Sequence, residues 1–96
     1  MANTTLLNAV TVNTTGSGTS ITGPCVVTIS DLSLDEYVTI LHAATDTSAH
    51  YRTVVRRGGP DPSPVRIDND GTYYLKAILS GVNGTRASAI TVLAQQ

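Results

Sequence analysis

The stretch Ile67-Asp68-Asn69-Asp70-Gly71-Thr72-Tyr73-Tyr74-Leu75-Lys76-Ala77-Ile78-Leu79 limits what this chain can fold into more than any other. A polar corner, Asn69-Asp70-Gly71, runs straight into a segment in which Tyr73, Leu75, Ala77 and Leu79 form an unbroken apolar alternation. Asn, Asp and Gly tolerate the left-handed and bridge conformations that a tight corner needs. The intervening Thr72, Tyr74, Lys76 and Ile78 make a mixed face. Period two of this kind describes a half-buried antiparallel strand, dry on one side and wet on the other. β-Sandwiches place a tyrosine just after such a corner, its hydroxyl bonded back to the backbone. Tyr73 fits that position, Gly71 supplies the corner and Leu75 the core position beyond it.

With 96 residues the chain is expected to form one domain, 1–96, with a single core. A chain of this length buries roughly 60–70% of its unfolded surface. Hydrophobic residues make up 41%, too many for a disordered segment. Charged residues make up only 14%, so Thr, Ser, Val, Ala and Gly dominate, a composition suited to strands and turns. A net charge of −1 provides no field to recruit nucleic acid or an anionic membrane. Cys25 is the sole cysteine, so no intrachain disulfide can form, and a buried core thiol is expected. The opening residues read as no signal peptide, and no run approaches the ~20 apolar residues of a membrane span. Synthesis and assembly in a cytoplasm are expected.

Further strands are predicted over Leu6 to Val12, Cys25 to Ser30, Tyr37 to Ala44, Tyr51 to Arg57, Val65 to Asp68 and Arg86 to Leu93. Residues 1–23 read as an N-terminal strand or arm followed by a flexible polar loop, Asn13 to Ser20. Asp31 to Glu36 is a polar connection with room for a short helical turn. Tyr51 to Arg57 and Val65 to Asp68 read as a hairpin around the stiff Gly58 to Pro64 loop, whose prolines cannot sit in a ladder. Asn83-Gly84 signals another hairpin, between the central strand and the last. Together these predict an all-β fold: a seven-stranded antiparallel immunoglobulin-like β-sandwich without a disulfide. Leu75 stands where antibody domains place a cysteine, and the chain has no tryptophan, so an aliphatic core is expected.

No catalytic constellation is readable. His42 and His50, eight apart, match neither metal-ligand nor nucleophile–base spacing, and read as a packing residue and a loop residue. Asp68-Asn69-Asp70-Gly71 resembles the start of a calcium loop but lacks the later glutamate, so it reads as a hydrogen-bonded turn. Asn3, Asn13 and Asn83 each begin an Asn-x-Ser/Thr triplet, read without secretion as Thr-rich sequence.

Surface features point instead to association. Arg52, Arg56, Arg57 and Arg66 are four of six basic residues and gather on one predicted hairpin, with Arg52 and Arg56 on one face. Such a cluster either guards an edge against aggregation or anchors an acidic protein surface. It is small for nucleic acid and lacks interleaved aromatics, Tyr51 aside. Tyr74 and Ile78 lie on the outward face of the central strand, and Leu6 and Leu7 are placed to dock an arm on a neighbour.

Three segments carry a resemblance: Ala2-Asn3-Thr4-Thr5-Leu6-Leu7-Asn8-Ala9-Val10-Thr11 before a Gly/Ser/Thr loop, Gly71-Thr72-Tyr73-Tyr74-Leu75, and Ile90-Thr91-Val92-Leu93-Ala94. In patterning they are similar to the small β-sandwich structural proteins of tailed bacteriophages, capsid decoration (cement) proteins prominent among them. The resemblance implies a non-enzymatic, cofactor-free virion protein on the capsid surface, binding the major capsid protein, often as a small homo-oligomer. A tail or baseplate module and a carbohydrate-binding sandwich are the alternatives; an enzyme is the third class.

Overall fold

The computed structural model describes residues 3–59 and 63–96, and among these the chain is built from strands and one 3₁₀ turn, Ser48–His50. In chain order the strands are β1 (Asn3–Val10), β2 (Thr14–Thr15), β3 (Thr19–Thr22), β4 (Cys25–Ile29), β5 (Tyr37–Ala43), β6 (Arg52–Gly58), β7 (Val65–Ile67), β8 (Thr72–Ser80) and β9 (Ile90–Gln95). They form two antiparallel sheets: β1-β9-β4-β7, and β2-β8-β5-β6 with β3 also paired to β8.

The central alternation is realised in β8. Tyr73, Leu75, Ala77 and Leu79 are buried, while Tyr74, Lys76, Ile78 and Ser80 are only half-buried. From the same sheet, Val38 and Ile40 of β5 join this dry face. The other sheet contributes Cys25, Val27 and Ile29, Val65 and Ile67, and Ile90, Val92 and Ala94. Leu6, Leu7, Ile21 and Leu32 complete one continuous, largely aliphatic core. Each fully buried Leu, Ile or Val is worth about 1.5–3 kcal/mol relative to exposure. Cys25 is free and buried.

Nine strands replace the expected seven, because the polar segment 13–20 is no flexible loop. Its threonines suit extended backbone, and with Ile21 just beyond them they line one edge of β8: Thr15 opposite Ile78, Thr19 opposite Leu75, Ile21 opposite Tyr73. Between β2 and β3 the Gly16 N–H donates to the Ala77 carbonyl at 2.8 Å. A Cβ on Gly16 would stand 2.8 Å from the Leu6 carbonyl oxygen, so this approach requires glycine.

That occupied edge also explains why the Asn83-Gly84 hairpin does not form. β8 is hydrogen-bonded by β2 and β3 on one side and by β5 on the other, so β9 has no free edge there. The chain instead crosses to the opposite sheet, where β9 inserts between β1 and β4. An immunoglobulin sandwich keeps its last two strands as neighbours in one sheet; this connectivity differs. Likewise β6 and β7 are not a hairpin. β6 pairs with β5, and β7 pairs with β4 in the other sheet, Cys25 opposite Ile67 and Val27 opposite Val65. Part of the proline-rich connection, residues 60–62, lies outside the described residues. Asp31 to Glu36 holds no helix; the Glu36 N–H donates to the Ser33 carbonyl at 3.0 Å and reverses the chain.

Candidate functional site

The outer face of the five-stranded sheet collects the residues best suited to binding. In an antiparallel pair, directly opposed residues share a face. Ile78 stands opposite Thr39 and Lys76 opposite Leu41, with Tyr74 opposite Ala43 and Tyr37 opposite Ser80. β6 adds Arg56 opposite Thr39. Tyr37, Leu41, Tyr74, Lys76 and Ile78 are half-buried and Arg56 is exposed.

Two cations lie over aromatic rings on this face. The Arg56 guanidinium carbon is 4.3 Å from the Tyr37 ring centroid. Lys76 Nζ is 4.2 Å from that of Tyr51, which enters from the turn before β6. The Tyr51 hydroxyl donates to Asp46 Oδ1 at 2.8 Å. Burial, then the Asp46 hydrogen bond and charge, push that hydroxyl up to about 12, so it stays a donor at neutral pH. Three of the four tyrosines therefore flank one sheet face, while Tyr73 belongs to the core. Such a surface has apolar area to bury and cations to pair with acidic groups.

The four arginines expected together are dispersed. Arg52 stands opposite His42, on the core-facing side of the ladder, and Arg56 opposite Thr39 on the outer side. A bulge at Val54, the extra residue between Ile40 opposite Val55 and Leu41 opposite Thr53, reverses the parity that four-residue spacing implied. Arg57 stands opposite Val38, and its Nε donates to the Ser63 carbonyl at 3.2 Å. Arg66 lies in the other sheet and pairs with Asp68 at 2.8 Å. Both partners are about two-thirds exposed, and such pairs contribute about 0–1 kcal/mol. An open hollow of about 390 Å³ adjoins Arg66, lined also by Pro24, Val26, Gln95 and Gln96.

Of the other expected contacts, Tyr74 and Ile78 do share the outward face. Leu6 and Leu7 are both buried in the chain's own core; a register shift between Thr5 and Leu7 lets two consecutive leucines turn inward. Gly71 is exposed, and its N–H donates to Asn69 Oδ1 at 3.2 Å, which closes the Asp68–Gly71 turn. With Oδ1 so engaged, Asn69 Nδ2 faces His42 Nε2 at 3.0 Å, and the imidazole accepts. The His42 ring also stacks on Tyr73, centroids 5.1 Å apart. Tyr73 departs from the corner arrangement. Its hydroxyl donates to the Gly23 carbonyl at 2.7 Å, 50 residues away, and lies 3.3 Å from Cys25 Sγ.

One polar centre carried no sequence signal. Glu36 is buried, and Arg86 NH1 donates to its Oε1. The Ser33 N–H donates to the same oxygen at 2.8 Å. Arg86 Nε donates to the Ser88 carbonyl at 2.9 Å, NH2 lies 3.7 Å from Asp31 Oδ2, and only 6% of the Arg86 side chain is exposed. Nε and NH1 are held by fixed partners, Ser88, Glu36 and Ser33, which makes this a latch between loops. Among the described residues no group of three or more His, Cys, Asp or Glu is placed to hold a metal ion, and no helix is long and apolar enough to cross a membrane. No protein-family model, curated protein or solved structure matches this chain.

Proposed function

We propose that the chain is a bacteriophage virion structural protein, a capsid decoration protein that binds the major capsid protein and stabilises the mature head. The outer face of the five-stranded sheet carries the reading: Tyr37, Leu41, Tyr74 and Ile78 offer apolar area on one side of a rigid sandwich, with Arg56 and Lys76 for acidic partners. The role is mechanical, without catalysis, cofactor, nucleic acid or membrane, and the site of action is the capsid surface after assembly in the host cytoplasm. A ligand that binds only the expanded lattice stabilises it by mass action. Many copies, grouped as small homo-oligomers, add avidity.

The test is co-sedimentation of the purified chain with expanded and unexpanded heads of the virus that carries it. Binding to expanded heads alone is expected. The double variant Arg56→Glu, Ile78→Asp should keep the wild-type circular dichroism and lose binding by at least a hundredfold, the range for central interface residues. Undiminished binding would move the contact off this face, and no binding to any head would remove the decoration role.

The clustering of three tyrosines on one face favours carbohydrate binding as the second reading. Binding on a glycan array that Tyr37→Ala and Tyr74→Ala abolish would replace the first reading with it. Antibody labelling on tails instead of heads would point to a tail or baseplate module.

A further inference from the structure

Of the two long edge strands, β1 carries no charge and β6 carries three arginines. The first charged residue in the chain is Asp31. Charges on an edge suppress association through it, so β6 is guarded and β1 is not. β1 is also held irregularly. Among the described residues it is bonded to β9 alone, with register shifts between Thr5 and Leu7 and between Leu7 and Val10. The Ala9 N–H finds the Thr91 side-chain hydroxyl, at 3.3 Å, where a regular ladder would offer a carbonyl.

Ala9 has φ of 51°, in the left-handed region that a residue with a Cβ avoids. Just beyond it the chain is fixed to the body again. The Arg86 N–H donates to the Thr11 carbonyl at 2.8 Å, and the Val82 N–H donates to Asn13 Oδ1 at 2.9 Å. A strained corner thus separates residues 3–8 from a well-anchored remainder.

We propose that β1 is exchangeable: two copies of this chain swap residues 3–8, and Leu6 and Leu7 of each fill the core of the other. The occupant is a second copy because the seam is cut for this sequence, with two bulges and two consecutive inward leucines at set places along β9. Exchange remakes the pairings of residues 3–8 with β9 and lets Ala9 relax to extended backbone. That release offsets part of the entropy of association. The inference concerns the chain in solution and stands apart from the capsid reading.

Positions 5 and 93 are opposite in the β1–β9 ladder. Thr5→Cys and Leu93→Cys, in a Cys25→Ala background, therefore report which chain supplies the strand. The protein is refolded at low and at high concentration, oxidised, and separated denatured without reductant. Exchange gives covalent dimers whose share rises with refolding concentration. Adding Ala9→Gly, which holds a positive φ without strain, weakens dimerisation roughly a hundredfold, about tenfold for each of two corners. Covalent monomers alone at both concentrations would overturn the proposal. Should the cysteine variant not fold, light scattering on the unmodified chain gives the same reading. A dimer that forms on concentration and separates slowly on dilution supports exchange, because β1 must leave its core. Monomer mass throughout, or a dimer lost within the mixing time, overturns it.

Discussion

The two ends of β8 are closed by opposite means. Beyond Ser80, which stands opposite Tyr37, the neighbouring Glu36 and Arg86 form a buried ion pair. At the other end, Tyr73 closes the sandwich with a neutral hydroxyl on the Gly23 carbonyl. Each tie joins residues 50 apart in sequence and spans segments that the core alternation does not reach. The difference lies in what happens when one partner is lost. A buried charge without its counterion has no cheap alternative, whereas a half-buried carbonyl can turn to water. One end should therefore fail abruptly and the other gradually.

The sharpest way to break that contrast is Arg86→Ala. It leaves Glu36 buried without its counterion and strips a donor from Ser88, so a loss of about 3–5 kcal/mol is expected, read as a lower urea midpoint at unchanged slope. Replacing both partners, Arg86→Leu with Glu36→Leu, should recover most of the loss, because an apolar pair carries no desolvation penalty. A double variant as unstable as the single one would mean that the outer donors, to Ser33 and Ser88, hold this end instead of the charge pair.

Acid should expose the same asymmetry more mildly. Burial by itself raises the Glu36 carboxyl. The Arg86 hydrogen bond, the Ser33 N–H and the Arg86 charge together outweigh it and hold the carboxyl below its ordinary 4.5. A folded-state value below the unfolded one adds stability above the unfolded value, and that stability is lost as pH falls through the folded value. The wild-type chain should therefore lose stability progressively below about pH 4.5, and the Leu/Leu variant should decline less steeply. Parallel acid limbs in the two proteins would show that Glu36 is not linked to folding.

Residues legible in the sequence are those whose information is local. Tyr73, Leu75, Ala77 and Leu79, Cys25, Val27 and Ile29, and Ile90 and Val92 all face the core as their alternation predicts, because period two needs only the strand itself. Pairing is a different kind of information. Asn83-Gly84 has the residues of a tight hairpin, and Gly84 does adopt φ of 77°, yet the edge it would serve is filled by β2 and β3 from far earlier in the chain. The arginine patch failed for a related reason. One bulged residue, Val54, turns Arg52 and Arg56 to opposite sides, and nothing in Thr53-Val54-Val55 marks the bulge. Tyr74 and Ile78 were legible as outward residues, whereas Tyr37 joined their site through cross-strand register and Tyr51 through the turn that sets its ring under Lys76. Glu36 and Arg86 belonged to two unremarkable polar connections, and only the folded chain brings them together.

The gentlest probe acts at the other end of β8. Tyr73→Phe keeps the ring, its stacking on His42 and its core packing, and removes one donor. Because Gly23 is half-buried, its freed carbonyl can bind water, and a cost of about 1 kcal/mol is expected, less than half that of Arg86→Ala. Alkali distinguishes a working tie from a bystander hydroxyl. Burial, then the hydrogen bond and charge of Cys25, raise the Tyr73 hydroxyl well above its ordinary 10. A folded-state value above the unfolded one gives stability that is complete below pH 10 and is lost as pH rises beyond it. The phenylalanine variant has no such proton to lose, so the gap between the two proteins should narrow above pH 10, with Tyr51 titrating in both. A gap that stays constant there, or no gap at neutral pH, would mean the Tyr73 hydroxyl closes nothing, and the contrast between the two ends would reduce to the ion pair alone.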